Sequence, residues 1–199
     1  FSDTSERPYD TNINDGAKVI IAGYGRFGQI ISRYLKTEEV PHTILEHSAE
    51  QVDTAREFGN KIYYGDASRK DILKLAGIED ADILILAMGN PEANLQAAKV
   101  VRENYPDVKI FARARNRQHA MNLMELGVDL VHRENVMPSL EIAKEVLLYM
   151  GRNINRINKG LAKFRKKDTD ILQKQFELRH DRKKMISYTR EANEELHQV

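Results

Sequence analysis

Short apolar runs alternate with helical patterns along most of this 199-residue chain, and this alternation constrains the fold more than any other feature. The six runs are VIIA (19–22), TILE (43–46), KIYY (61–64), ILILAM (83–88), KIFAR (109–113) and DLV (129–131). Between the runs, apolar residues recur at the i, i+3, i+4 spacing of amphipathic helices. Continuous apolar strands separated by helices are typical of a parallel sheet covered on both faces. The pattern therefore predicts an α/β fold with a Rossmann-like, doubly wound parallel sheet of six strands.

The two ends of the chain differ from this central part. Residues 1–16 are rich in Asp, Asn, Ser and Thr and are predicted to be an unpacked linker, with a nucleotide-binding domain over 17–135. Residues 136–199 are predicted to form a helical extension for dimerisation and a C-terminal tail. The tail is basic, because residues 151–199 carry a net charge of +6 against −5 for residues 1–150. A break in the tail helix is expected near Asp168-Thr169-Asp170.

The segment 138–150 (PSLEIAKEVLLYM) is predicted to be an unusually apolar helix that ends at Gly151. One face carries Leu140, Ala143, Val146, Leu147 and Met150, and Ile142, Leu148 and Tyr149 widen it. Two interpretations remain open at this point. Either the helix covers the core of its own chain, or it buries this face against a second copy in a dimer.

The sequence motif with the clearest chemistry is Gly23-Tyr24-Gly25-Arg26-Phe27-Gly28, a G-x-G-x-x-G that directly follows the first strand and opens a helix. In this context Gly23 allows a tight turn, Gly25 lets the backbone approach a phosphate, and Gly28 permits close packing of helix against strand. The helix N-terminus offers free N–H groups to the anion. Arg26 and Phe27 are candidate cofactor-binding residues within the motif.

An acidic residue follows at the expected distance. Glu46 ends the second strand, where its carboxylate can accept hydrogen bonds from both ribose hydroxyls and disfavours a 2′-phosphate. We therefore expect NAD(H) or another adenine nucleotide such as AMP, and not NADP(H). The alternative is an unused glycine turn beside an incidental glutamate.

Five further residues are predicted at the carboxyl edge of the sheet, where a doubly wound fold binds its ligand. Asp66 and Ala67 follow the third strand, Ala87 ends the fourth and Arg113 ends the fifth, with Arg115 close behind. Asp66 has an equally good alternative role as the cap of the next helix. Arg113 can pair either with a phosphate or with a local carboxylate.

Other residue types argue against catalysis. The chain has no Cys, no H-E-x-x-H, no G-x-S-x-G and no Walker G-K-[ST]. The six histidines (His42, His47, His119, His132, His180 and His197) are scattered without a clear carboxylate partner and are expected to be surface or capping residues. His47, which stands beside Glu46, is the one most open to another role. No apolar run approaches membrane-span length, and no signal peptide is evident. The sequence predicts a soluble intracellular domain, or the soluble part of something larger, that acts as a sensor, is not an enzyme and binds no metal.

Two function classes compete with this prediction. An NAD-dependent oxidoreductase with a reduced substrate domain is the first alternative, and turnover of NADH would favour it. A redox-sensing transcriptional repressor is the second, suggested by the basic tail. No helix-turn-helix precedes the Rossmann pattern, so no nucleic-acid partner is predicted.

Several longer runs carry a family resemblance. KVIIAGYGRFGQIISRYL, IYYGDASRKDIL, ANLQAAKVVRENYP and IFARARN resemble the RCK/KTN domains that regulate potassium channels and transporters. The G-R-F-G-Q, Y-G-D-A and A-R-A-R runs are more specifically similar to the cytosolic C-terminal domains of Kef-type, glutathione-gated potassium efflux systems. The resemblance covers roughly residues 18–168.

The resemblance implies more than the motifs alone. It implies a membrane transport domain before this chain, location at the cytoplasmic face of a bacterial inner membrane, a homodimer formed through 138–150, and an ancillary subunit similar to quinone reductases. It also implies NAD(H) or AMP in the glycine-rich site. Glutathione would inhibit and glutathione S-conjugates would activate potassium efflux coupled to proton entry.

The glutathione site of the family lies at its dimer interface, and the resemblance implies its residues by position. Arg33 and Arg133 would bind the carboxylates of glutathione, and Phe58 would meet the sulfur substituent. Without the resemblance, a solvated Arg33, a core Phe58 and an Arg133 paired with Glu134 or another neighbour would be the simpler readings. The sequence departs from the family at Asp168, where the family has Asn; Asp168 could meet the amine of glutathione.

Overall fold

The computed structural model describes residues 7–196, and its packing divides the chain into two units. The first unit runs to Ala114 and includes Asn122–His132; the second comprises Arg115–Met121 and the chain from Arg133 onward. The structural division differs from the predicted domain boundary at 135/136, because it also assigns residues 115–121 to the second unit. The boundary between the two functional domains therefore remains a prediction.

The strands and the helices between them follow the predicted order. The strands are β1 (Val19–Ala22), β2 (His42–Glu46), β3 (Tyr63–Tyr64), β4 (Ile83–Leu86), β5 (Lys109–Ala114) and β6 (Leu130–Arg133). The helices among them are α1 (Arg26–Thr37), α2 (Ala49–Glu57), α3 (Lys70–Leu75), α4 (Pro91–Asn104) and α5 (Arg117–Glu125). Three helices come after the sheet: α6 (Val136–Tyr149), α7 (Ile154–Glu177) and α8 (Arg182–Leu196).

The strands form one six-stranded sheet in the order β3-β2-β1-β4-β5-β6. β1 lies in the middle and pairs in parallel with β2 on one side and β4 on the other, with Ile21 opposite both Ile44 and Ile85. Ile20, Ile21 and Leu84 are fully buried. The predicted Rossmann-like fold is confirmed, and the reversal of strand order between β1 and β4 opens the crevice in which such sheets bind ligands.

The segment before β1 is packed, which the prediction of an unpacked linker over 1–16 missed for residues 7–16; residues 1–6 lie outside the described part. Ile13 is 1% exposed. Asp10 extends the sheet contacts of β3, since its amide donates to the Tyr64 carbonyl (3.0 Å) and its carboxylate accepts from the Tyr64 amide (2.7 Å). Tyr9 lies against the Tyr64 ring. A few apolar residues among many polar ones are enough to anchor the segment, and its role as a connector stays a prediction.

The apolar helix α6 buries none of its residues within the chain. Ile142 is 68% exposed and Tyr149 is 95% exposed. The interpretation that this helix covers the core of its own chain is therefore wrong, and the dimer interpretation remains. Within residues 7–196, no helix combines the length and the apolar character that crossing a bilayer requires.

The predicted break near Asp168-Thr169-Asp170 does not occur, because α7 is continuous from Ile154 to Glu177. Each of the three polar side chains is satisfied without ending the helix. Asp168 accepts from Arg117 and Arg133, Thr169 donates to the Arg165 carbonyl (2.9 Å), and Asp170 accepts from Lys166 (2.8 Å). The two aspartates are paired with side-chain cations and so do not compete for backbone groups, and the bond from Thr169 to the carbonyl four residues earlier is one that a continuous helix accommodates.

Candidate functional site

The glycine motif forms the turn between β1 and α1, and each of its three glycines meets a different constraint. Gly23 has φ 102°, and a Cβ there would lie 2.7 Å from the Met88 amide nitrogen. A Cβ at Gly28 would lie 2.1 Å from the Gly23 carbonyl oxygen, so the helix packs directly on the turn. A Cβ at Gly25 would meet nothing within 4 Å. Gly23 and Gly28 are therefore required by the fold, whereas Gly25 borders open space.

The N-terminus of α1 opens at Gly25. Gly25 is the N-cap, no side chain caps the helix there, and its first turn contains no acidic residue. Free backbone N–H groups and the helix dipole make such an end attractive to a phosphate. Arg26, the first residue of the helix, is exposed. Phe27 is partly buried against the sheet, with the Arg113 guanidinium 5.7 Å from its ring centre.

Glu46, at the end of β2, is buried beside this loop. Its carboxylate accepts from the backbone amides of Tyr24 and Ser48, both at 2.8 Å, and pairs with His47 Nδ1 at 2.8 Å. Burial opposes ionisation of Glu46, but the hydrogen bonds from His47 and the two amides outweigh it and lower the pKa of Glu46. A carboxylate held ionised at this position is what a ribose diol requires as its acceptor.

His47 has a carboxylate partner in Glu46, the neighbour for which the sequence analysis set this histidine apart from the other five. The hydrogen bond to Glu46 raises the pKa of His47, and burial opposes this only in part. His47 is nevertheless exposed, whereas His119 is not a surface residue: it is buried, and its Nδ1 accepts from the Arg115 amide (3.1 Å). His197 lies outside the described residues. Among residues 7–196, no group of three or more potential ligands is placed to hold a metal ion.

The predicted residues at the carboxyl edge of the sheet serve different purposes. Asp66 accepts from both the amide (2.9 Å) and the hydroxyl (2.7 Å) of Ser68, so it stabilises the turn before α3 and is not the cap of that helix. Ala67 and Ala87 are buried and provide only small apolar walls. Arg113 donates to the Met88 carbonyl (3.2 Å), and thus holds the chain in place just after β4.

Asn94 is a buried residue that the sequence analysis missed. Its side chain accepts from the Met88 amide (3.2 Å) and donates to the Met88 carbonyl (2.8 Å), so both backbone groups of Met88 are held by one amide. Met88 is the residue against which Gly23 packs. Asn94 therefore fixes the wall of the glycine turn. Its place one turn inside a helix, four residues after the N-cap Asn90, was the available signal.

A cleft of about 730 Å³ lies between α1 and α2 in the first unit. Gly25 and Arg26 line it at one end, and Arg33, Lys36 and Phe58 line it along the two helices. Phe58 is 81% exposed, so the reading of a core aromatic is wrong. The cleft brings together residues predicted for two separate ligands, and it combines three cations on α1 with one accessible aromatic ring.

A second group of predicted residues lies in the second unit. Arg133, at the end of β6, donates to Asp168 of α7, and Arg117 of α5 donates to the other oxygen of the same carboxylate. Arg133 thus forms its ion pair with Asp168, one of the neighbours that the sequence left open. Arg117 was not predicted, because nothing in the sequence links α5 to residue 168. Burial lowers the pKa of Arg117, and the charge of Asp168 opposes that shift.

A cavity of about 480 Å³ adjoins this group. It is lined by Arg115, Asn116, Arg117, Arg133, Asn135, Val136, Ser139, Leu140, Phe164 and Asp168. Three arginines and one aspartate give the lining an excess of positive charge, which suits an anionic ligand.

Two family models together match almost the whole chain after residue 18. The model of the TrkA-N domain matches residues 19–134, and the model of the potassium efflux system KefB C-terminal domain matches residues 138–199. The glutathione-regulated potassium-efflux system protein KefC of Enterobacter sp. (strain 638) is 36% identical over 173 residues. That alignment takes in 87% of this chain and 28% of KefC, so the chain spans less than a third of this relative.

Solved structures agree with the family models. The Kef CTD of Shewanella denitrificans, in its AMP-bound form, matches with a TM-score of 0.74 at 37% identity, over 80% of this chain and 98% of that one. The TrkA-N domain of the inner membrane protein ybaL from Escherichia coli matches with a TM-score of 0.56 at 30% identity, over 66% of this chain and 94% of that one.

Proposed function

This chain belongs to the TrkA-N family, as the regulatory RCK/KTN domain of a Kef-type potassium efflux system and not an enzyme, and on this premise we propose that it senses an adenine nucleotide and glutathione. The family assignment removes the oxidoreductase and repressor alternatives. The observation that carries the nucleotide part is the open space at Gly25, next to the uncapped N-terminus of α1.

The nucleotide is proposed to be AMP or NAD(H). Its phosphate would meet the backbone N–H groups at the start of α1, and its ribose would hydrogen bond to Glu46. The ionised Glu46 would repel a 2′-phosphate, which disfavours NADP(H). The AMP-bound relative from Shewanella denitrificans, with the same fold, supports an adenine nucleotide as the ligand.

Glutathione and its S-conjugates are proposed as the effectors, glutathione inhibiting and the conjugates activating. Arg33 and Phe58 support this in the first unit, because an accessible cation and an accessible aromatic ring line one cleft. Arg133 supports it in the second unit, because it lines a cavity with an excess of arginines; Asp168, which the resemblance places in the same site, lines that cavity too. Glutathione carries two carboxylates, which arginine guanidinium groups bind in pairs of hydrogen bonds.

The assembly is proposed to be a homodimer that buries the apolar face of α6, attached to a membrane transport domain at the cytoplasmic face of a bacterial inner membrane. The exposure of Ile142, Val146 and Met150 supports the dimer, because a contiguous apolar helix face is unfavourable in water. The membrane domain would carry out potassium/proton antiport. An ancillary subunit similar to quinone reductases is also proposed, on the resemblance alone.

Competition binding tests the glutathione proposal. A fluorescent glutathione S-conjugate is bound to the parent chain and displaced with glutathione. Removing a charge-assisted hydrogen bond costs about 1.5–3 kcal/mol, so Arg133→Ala should weaken glutathione binding by roughly 10- to 100-fold. Phe58→Ala should reduce the difference in affinity between glutathione and a bulky conjugate. Arg165→Ala, an exposed arginine of α7 outside both cavities, is the matched control and should bind like the parent.

Two results would contradict the proposal. The first is that glutathione fails to displace the conjugate from the parent chain, which leaves a nucleotide sensor without a glutathione site. A nucleotide that displaces the conjugate while glutathione does not would have the same meaning.

A further inference from the structure

One carboxylate in the second unit holds two guanidinium groups. Asp168 is 8% exposed, and Arg117 and Arg133 each donate to a different one of its two oxygens. Arg117 also donates to the side-chain carbonyl of Gln175 (3.0 Å), which lies two turns further along α7. Both arginine side chains are partly buried, and two guanidinium groups this close repel each other unless an anion lies between them. Asp168 is therefore their counterion.

The surrounding cavity contains one other charge. Apart from Asp168, the side chains that line it are neutral or cationic, and Arg115 is the third arginine. A carboxylate entering this cavity would seek the guanidinium N–H groups that Asp168 already occupies. The carboxylate of Asp168 is tethered to α7, so its effective concentration at the arginines is far higher than that of any free ligand.

We propose that Asp168 is a built-in counterion that takes the place of a ligand carboxylate in this cavity, and so determines how tightly the cavity binds carboxylate ligands. A free carboxylate must displace Asp168, or bind only to those guanidinium N–H groups that Asp168 does not occupy. A neutral side chain of the same shape would leave both arginines without a counterion and would favour the free anion. The inference rests on the proposed function where the ligand is glutathione, but the counterion role itself does not.

Rescue by a small anion tests the counterion role without glutathione. Asp168→Ala removes the carboxylate and leaves space for acetate, and its melting temperature should fall by about 5 °C or more. Sodium acetate at tens of millimolar should restore part of this loss, while sodium chloride at equal ionic strength should not. Asp170→Ala is the matched control, since Asp170 is exposed and pairs only with Lys166 among the described residues. Its melting temperature should not respond specifically to acetate.

The isosteric variant keeps the test independent of packing. Asp168→Asn fills the same volume, so a lower melting temperature for this variant reports the lost charge and not a cavity. The counterion role is overturned if both variants have the melting temperature of the parent, or if acetate and chloride raise the melting temperature of Asp168→Ala equally.

Calorimetric titration with glutathione tests the consequence for the ligand. Asp168→Asn should bind glutathione about tenfold more tightly than the parent chain, because the competing carboxylate is gone. Equal or weaker binding by Asp168→Asn, with measurable binding by the parent, overturns the displacement of Asp168 and leaves the proposed function intact. If neither protein binds glutathione while acetate still rescues Asp168→Ala, the glutathione proposal fails and the counterion role stands.

Discussion

The carboxylate of Glu46 accepts a hydrogen bond of 2.8 Å from the backbone amide of Tyr24, in the middle of the glycine loop. The residue expected to bind the ribose therefore also holds the loop that would bind the phosphate. Its second oxygen accepts from the Ser48 amide and from His47. Loop geometry and ribose recognition thus depend on the same ionised group.

Substitution can separate the role of Gly28 in the fold from the role of Gly25 in binding. Gly28→Ala places a Cβ against the Gly23 carbonyl oxygen, and should lower the free energy of unfolding by about 3 kcal/mol. Gly25→Ala places its Cβ in open space and should change the free energy of unfolding by less than about 1 kcal/mol. Urea denaturation of both variants measures this difference. Equal stability of the two would show that α1 does not pack closely on the turn.

Replacing Glu46 should change the titration of His47. Glu46→Gln removes the charged partner, so the pKa of His47 should fall toward its ordinary value near 6.5. In the parent, the raised pKa means that this pair contributes stability below about pH 6.5 and loses it as pH rises through the pKa of His47. NMR titration of the imidazole follows the change. Glu50→Gln, an exposed acid nearby, is the control and should leave the His47 titration where it is.

Asp129 should contribute to acid sensitivity. Burial opposes its ionisation, but hydrogen bonds from the Ile110 amide, Lys109 and Arg102 outweigh this and lower the pKa of Asp129 to about 2. The stabilisation is present above about pH 4 and is lost as pH falls toward 2, which amounts to about 1 kcal/mol after allowance for solvent screening. The difference in unfolding free energy between the parent and Asp129→Asn should therefore shrink over this range. Asp107→Asn, at an exposed position, should show no such trend.

Assembly should depend on the apolar face of α6. Leu147→Glu should convert a dimer to monomers in sedimentation velocity at micromolar concentration, because burying a charge in the interface is costly. Leu75→Glu on α3 is a matched control, since Leu147 is 37% exposed and Leu75 is 38% exposed. That variant should sediment like the parent. A parent chain that is already monomeric at this concentration would contradict the dimer proposal.

Much of the fold could be predicted from local patterns, because continuous apolar strands and intervening helices are encoded within a few residues of each other. The packed segment around Ile13 escaped prediction because a single buried side chain among polar neighbours leaves no periodic signal. The continuous α7 escaped it because Asp168 is satisfied by Arg117, which is remote in sequence. Local propensity indicates a break there, and a tertiary ion pair overrides it.

The candidate site, like the fold, could be predicted where its features are encoded locally in the sequence and not where they depend on tertiary contacts. The roles of Gly23 and Gly28 follow from the motif and its position after a strand, and the structure gives the contacts that make them necessary. The clamp that Asn94 forms on Met88 and the pairing of His47 with Glu46 depend on how side chains orient after folding. Sequence spacing alone does not encode those orientations.

Thermal unfolding of the parent and of Gly25→Val in the presence of AMP is the most direct test of the nucleotide-sensing claim. The parent should gain stability by the binding term RT ln(1 + [L]/Kd), about 2.7 kcal/mol at a hundredfold excess over Kd. Gly25→Val should fold, because its side chain enters open space, but should gain nothing, because that space belongs to the phosphate. Gly160→Val, at another open glycine position on α7, should gain as much as the parent. Equal stabilisation of the parent and Gly25→Val by AMP, or none for the parent with either AMP or NADH, would contradict the account.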